Sequence, residues 1–175
     1  MKMIRIGCGV LFAVLVIAVF VFLMYLETST PETMVVRLED VSAHTLQQVD
    51  ELDLLQEGES IRFLYSDGFL HVRDGCYLLT DRALVIYVEA WGEPATRIPV
   101  EAVQQIELMH SESFFLDSLA RVSYVELDGE EMWITFPLSG ENGGDREFLI
   151  ALGEPNGLPV EDFVDEPLEG LLEED

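Results

Sequence analysis

Residues Ile6 to Leu26 form 21 consecutive positions without a charge, preceded by Lys2 and Arg5 and followed by every acidic residue in the chain. At the helical rise such a run matches the ~20 residues needed to cross a hydrocarbon core. The sequence alone therefore predicts a transmembrane helix over residues 1–27. A cleaved secretory signal is the competing reading, but its apolar core is ~7–15 residues and ends at small residues, whereas this run ends Phe22-Leu23-Met24-Tyr25-Leu26. A lipoprotein reading of Cys8 fails on order, because that cysteine stands before the apolar core. With Lys2 and Arg5 as the membrane-anchor flanks, the positive-inside bias places the N-terminus in the cytoplasm. The expectation is a single-pass protein of a bacterial inner membrane, its acidic domain outside the cytoplasm and the bilayer its first partner through residues 6–26.

Charge restricts the remaining partners. Beyond Leu26 the chain has no lysine, and seven arginines stand against all 34 carboxylates, so this part is more negative than the whole chain at −25. Nucleic acid and anionic lipid headgroups are both bound through cations that neutralise phosphate. Both are excluded as partners, and a solvating surface or a basic protein partner remains. Cys8 and Cys76 are the only cysteines, one in the apolar run and one beyond it, so no intrachain disulfide staples the domain. Cys76, in Cys76-Tyr77-Leu78-Leu79, reads as a buried structural thiol.

Four segments follow from composition and pattern: 1–27, the anchor; 28–57, a linker and amphipathic helix; 58–153, a β domain; and 154–175, an acidic tail. Ser42 is placed to cap a helix over Ala43 to Gln56, with Leu46, Val49, Leu52 and Leu55 on one face and Gly58 as the stop. From Glu59 the pattern becomes extended. Strands are expected at Ile61–Tyr65, Phe69–Arg73, Cys76–Thr80, Ala83–Trp91, Ala95–Val100, Arg121–Leu127 and Glu131–Pro137, the last two facing each other across Asp128-Gly129-Glu130. Asp145 is placed to cap a short helix over Arg146 to Leu152. The tail from Glu154 carries nine carboxylates, no cation and three prolines, a composition expected to lack regular structure or to act as a docking peptide.

Tyr77-Leu78-Leu79-Thr80-Asp81-Arg82-Ala83-Leu84-Val85-Ile86-Tyr87 and Arg97-Ile98-Pro99-Val100-Glu101-Ala102-Val103-Gln104-Gln105-Ile106 resemble the signature stretch of bacterial PH-like domains, a group that also resembles GRAM domains. The opening Leu55-x-Glu57-Gly58-Glu59-x-Ile61 is similar to theirs as well. The resemblance covers about Leu55 to Gly153. It implies a mainly β fold: a bent antiparallel barrel of about seven strands, closed by a C-terminal helix. Lipid-binding members use basic residues in the first hairpin, where this chain has Asp67 and Asp74 beside only His71 and Arg73.

Catalytic patterns are not found. His44, His71 and His110 are widely separated, with no His-x-x-x-His pair, no Gly-x-Ser-x-Gly elbow and no phosphate-cradling glycine loop. The expectation is a non-enzymatic PH-like interaction or scaffold domain, without metal or cofactor, acting on a protein partner. The candidate contact residues are Phe114, Phe115, Leu116 and Leu119, large apolar side chains in a connection that otherwise reads as polar. Two alternatives stay open. One is an accessory or solute-binding domain with a ligand site at the barrel mouth near Phe114 and His110; the other is a self-associating envelope assembly component.

Overall fold

The computed structural model describes residues 14–21, 32–68, 71–91, 93, 95–110 and 117–163. Of the apolar run, residues 14–21 are described, as an exposed helix. Among the described residues no helix is long and apolar enough to cross a membrane. This corrects the transmembrane, single-pass and inner-membrane expectations. Lys2 and Arg5 lie outside the described residues.

The domain is mainly β. Strands β1 (Val36–Arg37), β2 (Ile61–Ser66), β3 (Cys76–Thr80), β4 (Ala83–Tyr87) and β5 (Ala95–Pro99) form an antiparallel meander in that order. Strands β6 (Val103–Met109), β7 (Ser118–Val125), β8 (Glu131–Leu138) and β9 (Val160–Asp162) form a second sheet, ordered β8-β7-β6-β9, with β9 parallel to β6. Helix α1 (Ala43–Glu51) lies between β1 and β2, and α2 (Gly144–Gly153) follows β8. The expected closed barrel is thus corrected to two sheets, neither of which closes on itself. The strand count and turn density were compatible with either architecture. Closure depends on pairing between end strands, and the chain instead leaves the first sheet after β5 through a single 3₁₀ turn, Val100–Ala102.

The first sheet is buried on both faces, and its near-continuous apolar strands reflect this. On one face, Phe63, Tyr65, Tyr77, Leu79, Leu84 and Ile86 meet the second sheet and Phe148, Leu149 and Leu152 of α2. On the other, Leu64, Cys76, Leu78 and Val85 meet Val49 of α1, with Val41, Leu54 and Val72 beside it. Ile61 lies with this second group although strict alternation would pair it with Phe63, because the β2–β3 register shifts between Ile61 and Phe63. Layers therefore run α1, first sheet, second sheet with α2.

Local chemistry fixes the helix ends. Ser42 Oγ accepts the Thr45 amide at 3.1 Å and Leu46 N–H reaches Ser42 O at 3.0 Å, so the predicted cap is present. The helix stops at Glu51, shorter than the expected Gln56, and Asp53 follows in a left-handed conformation (φ 52°). Ser42→Ala is expected to cost about 1 kcal/mol, read as a lower urea midpoint with an unchanged slope. Helix α2 starts at Gly144, with Asp145 in its first turn and not at its cap; Asp145 N–H is held by Ser139 O at 3.1 Å.

Three further expectations are corrected. Of the strand placed at Phe69–Arg73, residues 69 and 70 lie outside the described residues and its end is a 3₁₀ turn over Val72–Asp74, because Val72 is buried and its N–H donates to Gln48 Oε1 of α1 at 2.9 Å. A strand that the pattern did not isolate, β6, fills part of the gap before Arg121. The acidic tail begins with regular structure: Glu154–Asn156 forms a 3₁₀ turn with Pro155 where its missing N–H costs nothing, and Val160–Asp162 is β9. Residues 164–175 lie outside the described residues.

Candidate interaction edge

Of the expected contact residues, Leu119 is described, and Phe114, Phe115 and Leu116 lie outside the described residues. Leu119 sits on β7, opposite Met109 on one side and Pro137 of β8 on the other, and is 41% exposed. It lies at one end of the outer face of the β7–β8 ribbon. Along that face Arg121 stands over the Trp133 ring, its guanidinium carbon 4.2 Å from the centroid, with one nitrogen 3.5 Å from Glu107 Oε2. A cation over an indole face is favourable by roughly 0.5–1 kcal/mol at exposed sites and fixes the ring.

The hairpin joining β7 to β8 determines which backbone groups face outward. Gly129 N–H donates to Glu126 O at 2.9 Å, and Glu126 N–H donates to Glu130 O at 2.9 Å. Gly129 adopts φ 88°, so the loop is a type I turn followed by a left-handed glycine, the three-residue hairpin connection. Antiparallel pairs alternate between those that exchange hydrogen bonds and those that do not. Counting from Glu126/Glu130 through an unshifted register, Tyr124/Met132, Val122/Ile134 and Ala120/Phe136 exchange bonds. The pairs Val125/Glu131, Ser123/Trp133, Arg121/Thr135 and Leu119/Pro137 do not.

Consequently Glu131, Trp133 and Thr135 turn both N–H and C=O away from β7. Among the described residues β8 has no strand on that side. Pro137 has the same parity, so its missing N–H faces the open edge, where proline is tolerated in a sheet. Proline blunts one end of the edge and Glu131 charges the other, two devices by which proteins protect edges. Between them Met132, Trp133 and Thr135 are exposed and Ile134 is half-buried, so both faces of this part of the strand are accessible. Val125 and the fully exposed Leu127 extend the apolar surface towards the hairpin tip.

Other concave or polar places are less suited to a partner. A groove of about 580 Å³ lies between β1, β2 and α2, lined by Arg37, Leu38, Arg62, Phe63, Glu147 and Ile150 among others. Its arginines are already committed: Arg37 to Glu147, and Arg62 to Glu154 Oε2 at 2.9 Å and to Ala151 O at 3.2 Å. His110, half-exposed, lies 3.8 Å from the buried Asp145 and 3.4 Å from Asp162, and Arg146 also contacts Asp162. His110 does not line the groove. No group of three or more His, Cys, Asp or Glu able to hold a metal occurs among the described residues.

Burial keeps the Cys76 thiol and the Tyr65 and Tyr77 phenols protonated. Cys76 has no exposed surface, and burial pushes its thiol up to about 12, so it stays a thiol. Burial, reinforced by Asp117, raises the Tyr65 phenol, whose hydroxyl donates to Asp117 Oδ2 at 2.6 Å; burial likewise raises Tyr77, which donates to Asp67 Oδ2 at 3.1 Å. Thr80, Asp81 and Arg82 hold a turn together. Thr80 Oγ accepts the Arg82 and Ala83 amides at 3.1 and 2.8 Å, Asp81 Oδ1 accepts the Ser60 amide at 2.9 Å, and Arg82 reaches the Glu57 and Gly58 carbonyls. The open edge escaped the sequence reading because edge status depends on strand order, although Pro137 within an alternating strand was its visible trace. No family model matches this chain, and no curated protein matches it.

Proposed function

We propose that this chain is a non-enzymatic interaction domain of the PH-like kind that binds an extended segment of a protein partner along the open edge of β8. The observation that carries the reading is the row of outward N–H and C=O groups at Glu131, Trp133 and Thr135, beside Trp133 under Arg121 and, among the described residues, without a strand partner. Adding a strand there satisfies backbone groups and gives side-chain pockets at alternate positions. The PH-like assignment is supported by the Thr80-Asp81-Arg82 turn, the two largely antiparallel sheets and the C-terminal helix packed into their common core. Nucleic acid and anionic lipid headgroups are left out of the reading by a net charge of −25.

Site-specific photo-crosslinking tests this in extracts of the cells that make the protein. A crosslinker at Thr135 or Leu119 is expected to trap one protein that a crosslinker at the exposed Gln47, on the far side of the first sheet, does not. The purified partner segment should then bind, and Trp133→Ala should weaken it at least five-fold. Equal trapping from Gln47, or binding indifferent to Trp133→Ala, would refute the reading.

A further inference from the structure

Resting on that reading, we infer that the segment which pairs with β8 is a cationic amphipathic strand, with arginine or lysine at alternate positions on one face and apolar residues on the other. The two faces of the edge differ in chemistry. On the inner face the exposed Met132 and half-buried Ile134 continue the row that ends in buried Phe136 and Leu138. A guest side chain on that face gains by being apolar. On the outer face Glu131 lies next to the hairpin, where Glu126, Asp128 and Glu130 precede it within five positions without a balancing cation. Asp128 Oδ1 is occupied by the Glu130 amide at 3.1 Å, while Glu126 and Glu131 are exposed.

The single local cation, Arg121, is already shared between the Trp133 ring and Glu107. A guest residue paired with Glu131 therefore meets an uncompensated carboxylate, and opposite charges directly across a ladder contribute about 0.2–1 kcal/mol. Diffusional encounter is favoured by the same sign difference over the whole surface. Charge also rejects the second copy as occupant: two chains at −25 each would bring their acidic hairpins to one seam. Pro137 limits the length. Beyond Thr135 the edge offers no N–H at the next outward position, so the guest pairs over about five residues.

The test uses labelled synthetic octapeptides of alternating Arg and Val against the full chain at 0.15 M salt, read by fluorescence anisotropy. The probes are this peptide, its Gln-for-Arg and Glu-for-Arg counterparts, and two forms N-methylated at alternate amides in opposite phase. The Arg peptide is expected to bind at least ten-fold more tightly than the Gln peptide, with the Glu peptide weakest. Methylation in one phase should weaken it at least ten-fold and in the other phase little, because only one set of amides faces β8. Thr135→Pro, which removes an outward N–H without touching the β7 ladder, should match the damaging phase, and Glu131→Lys should narrow the Arg/Gln preference several-fold.

Equal binding of Arg and Gln peptides overturns the cationic guest and leaves strand docking standing. Indifference to methylation phase means adsorption to an acidic surface and overturns both, as does failure of every peptide to bind. If far-UV circular dichroism shows that Thr135→Pro does not fold, the methylated peptides on the unmodified chain decide.

Discussion

Phe136→Ala is expected to destabilise the domain by about 3–5 kcal/mol, the range for truncating a fully buried phenylalanine. Its side chain is 1% exposed. It stacks on Tyr77 with centroids 5.6 Å apart and meets Phe148 edge-on at 6.4 Å. Tyr77 in turn stacks on Tyr65 at 5.6 Å, and Phe148 lies 6.1 Å from Phe63. Phe136 is thus the member of this aromatic row contributed by the second sheet, set between β3 of the first and α2. Removing it opens a void where three elements meet, and stacked pairs lose a further ~0.5–1.5 kcal/mol each beyond area burial.

The measurement is equilibrium urea unfolding. The midpoint should fall by roughly 1–5 M with the slope retained, given slopes of ~1–3 kcal/mol per M. Phe136→Leu, which keeps most of the volume, should cost about 1.5 kcal/mol. A loss under 1 kcal/mol for Phe136→Ala would show that the two sheets are held together elsewhere.

Elements written in local chemistry were legible. Ser42 as a cap, the Thr80-Asp81-Arg82 turn and the Asp128-Gly129-Glu130 hairpin each place a polar or flexible residue where an amide needs a partner or the chain needs a positive φ. Elements that depend on distant partners were not. In β6, Val103, Ile106 and Leu108 are buried, but a register shift between Val103 and Gln105 breaks the alternation that would have announced a strand. Two-residue β1 and three-residue β9 carry no period at all, and β9 exists because Gly157 (φ 66°) turns the chain back and Leu158 N–H bonds Gly153 O at 3.0 Å.

The two-sided burial of the first sheet was present in the sequence as the runs Cys76-Tyr77-Leu78-Leu79 and Ala83-Leu84-Val85-Ile86. The apolar stripe of α1 covers one face of these runs, with Val49 1% exposed in the second core. The candidate site divides in the same way. Leu119 was singled out by composition alone. Its neighbours Trp133, Thr135 and Pro137 became a site only once register and strand order had made them the outward-facing residues of an edge.

Glu59→Ala is expected to cost about 3 kcal/mol at pH 7, in line with removing one partner of a buried ion pair. The Glu59 side chain has no exposed surface, and its carboxylate is bonded by Arg97, by the Thr80 hydroxyl and by the Gln56 amide at 2.8 Å. Arg97 also reaches Leu54 O at 3.4 Å. One carboxylate therefore joins β5, the β3–β4 turn and the segment entering β2, and truncation removes the acceptor that three donors share. Burial by itself would raise its pKa; the hydrogen bonds from Thr80, Gln56 and Arg97 outweigh burial and hold it below its ordinary value of 4.5.

A depressed carboxylate contributes stability that is fully present above the unfolded-state pKa and is lost as pH falls through the folded-state value. The stability difference between wild type and Glu59→Ala should accordingly be flat from pH 7 to about 5 and shrink below ~4.5. Urea titrations of both proteins between pH 3 and 7 measure it, and the subtraction cancels the acid response of the other carboxylates. Arg97→Ala should reproduce part of the loss at neutral pH, and it should also weaken the pH dependence, because the guanidinium is one of the groups that keep Glu59 ionised. A wild-type to Glu59→Ala difference that stays constant down to pH 3 would mean that the carboxylate acts through its volume and not through its charge.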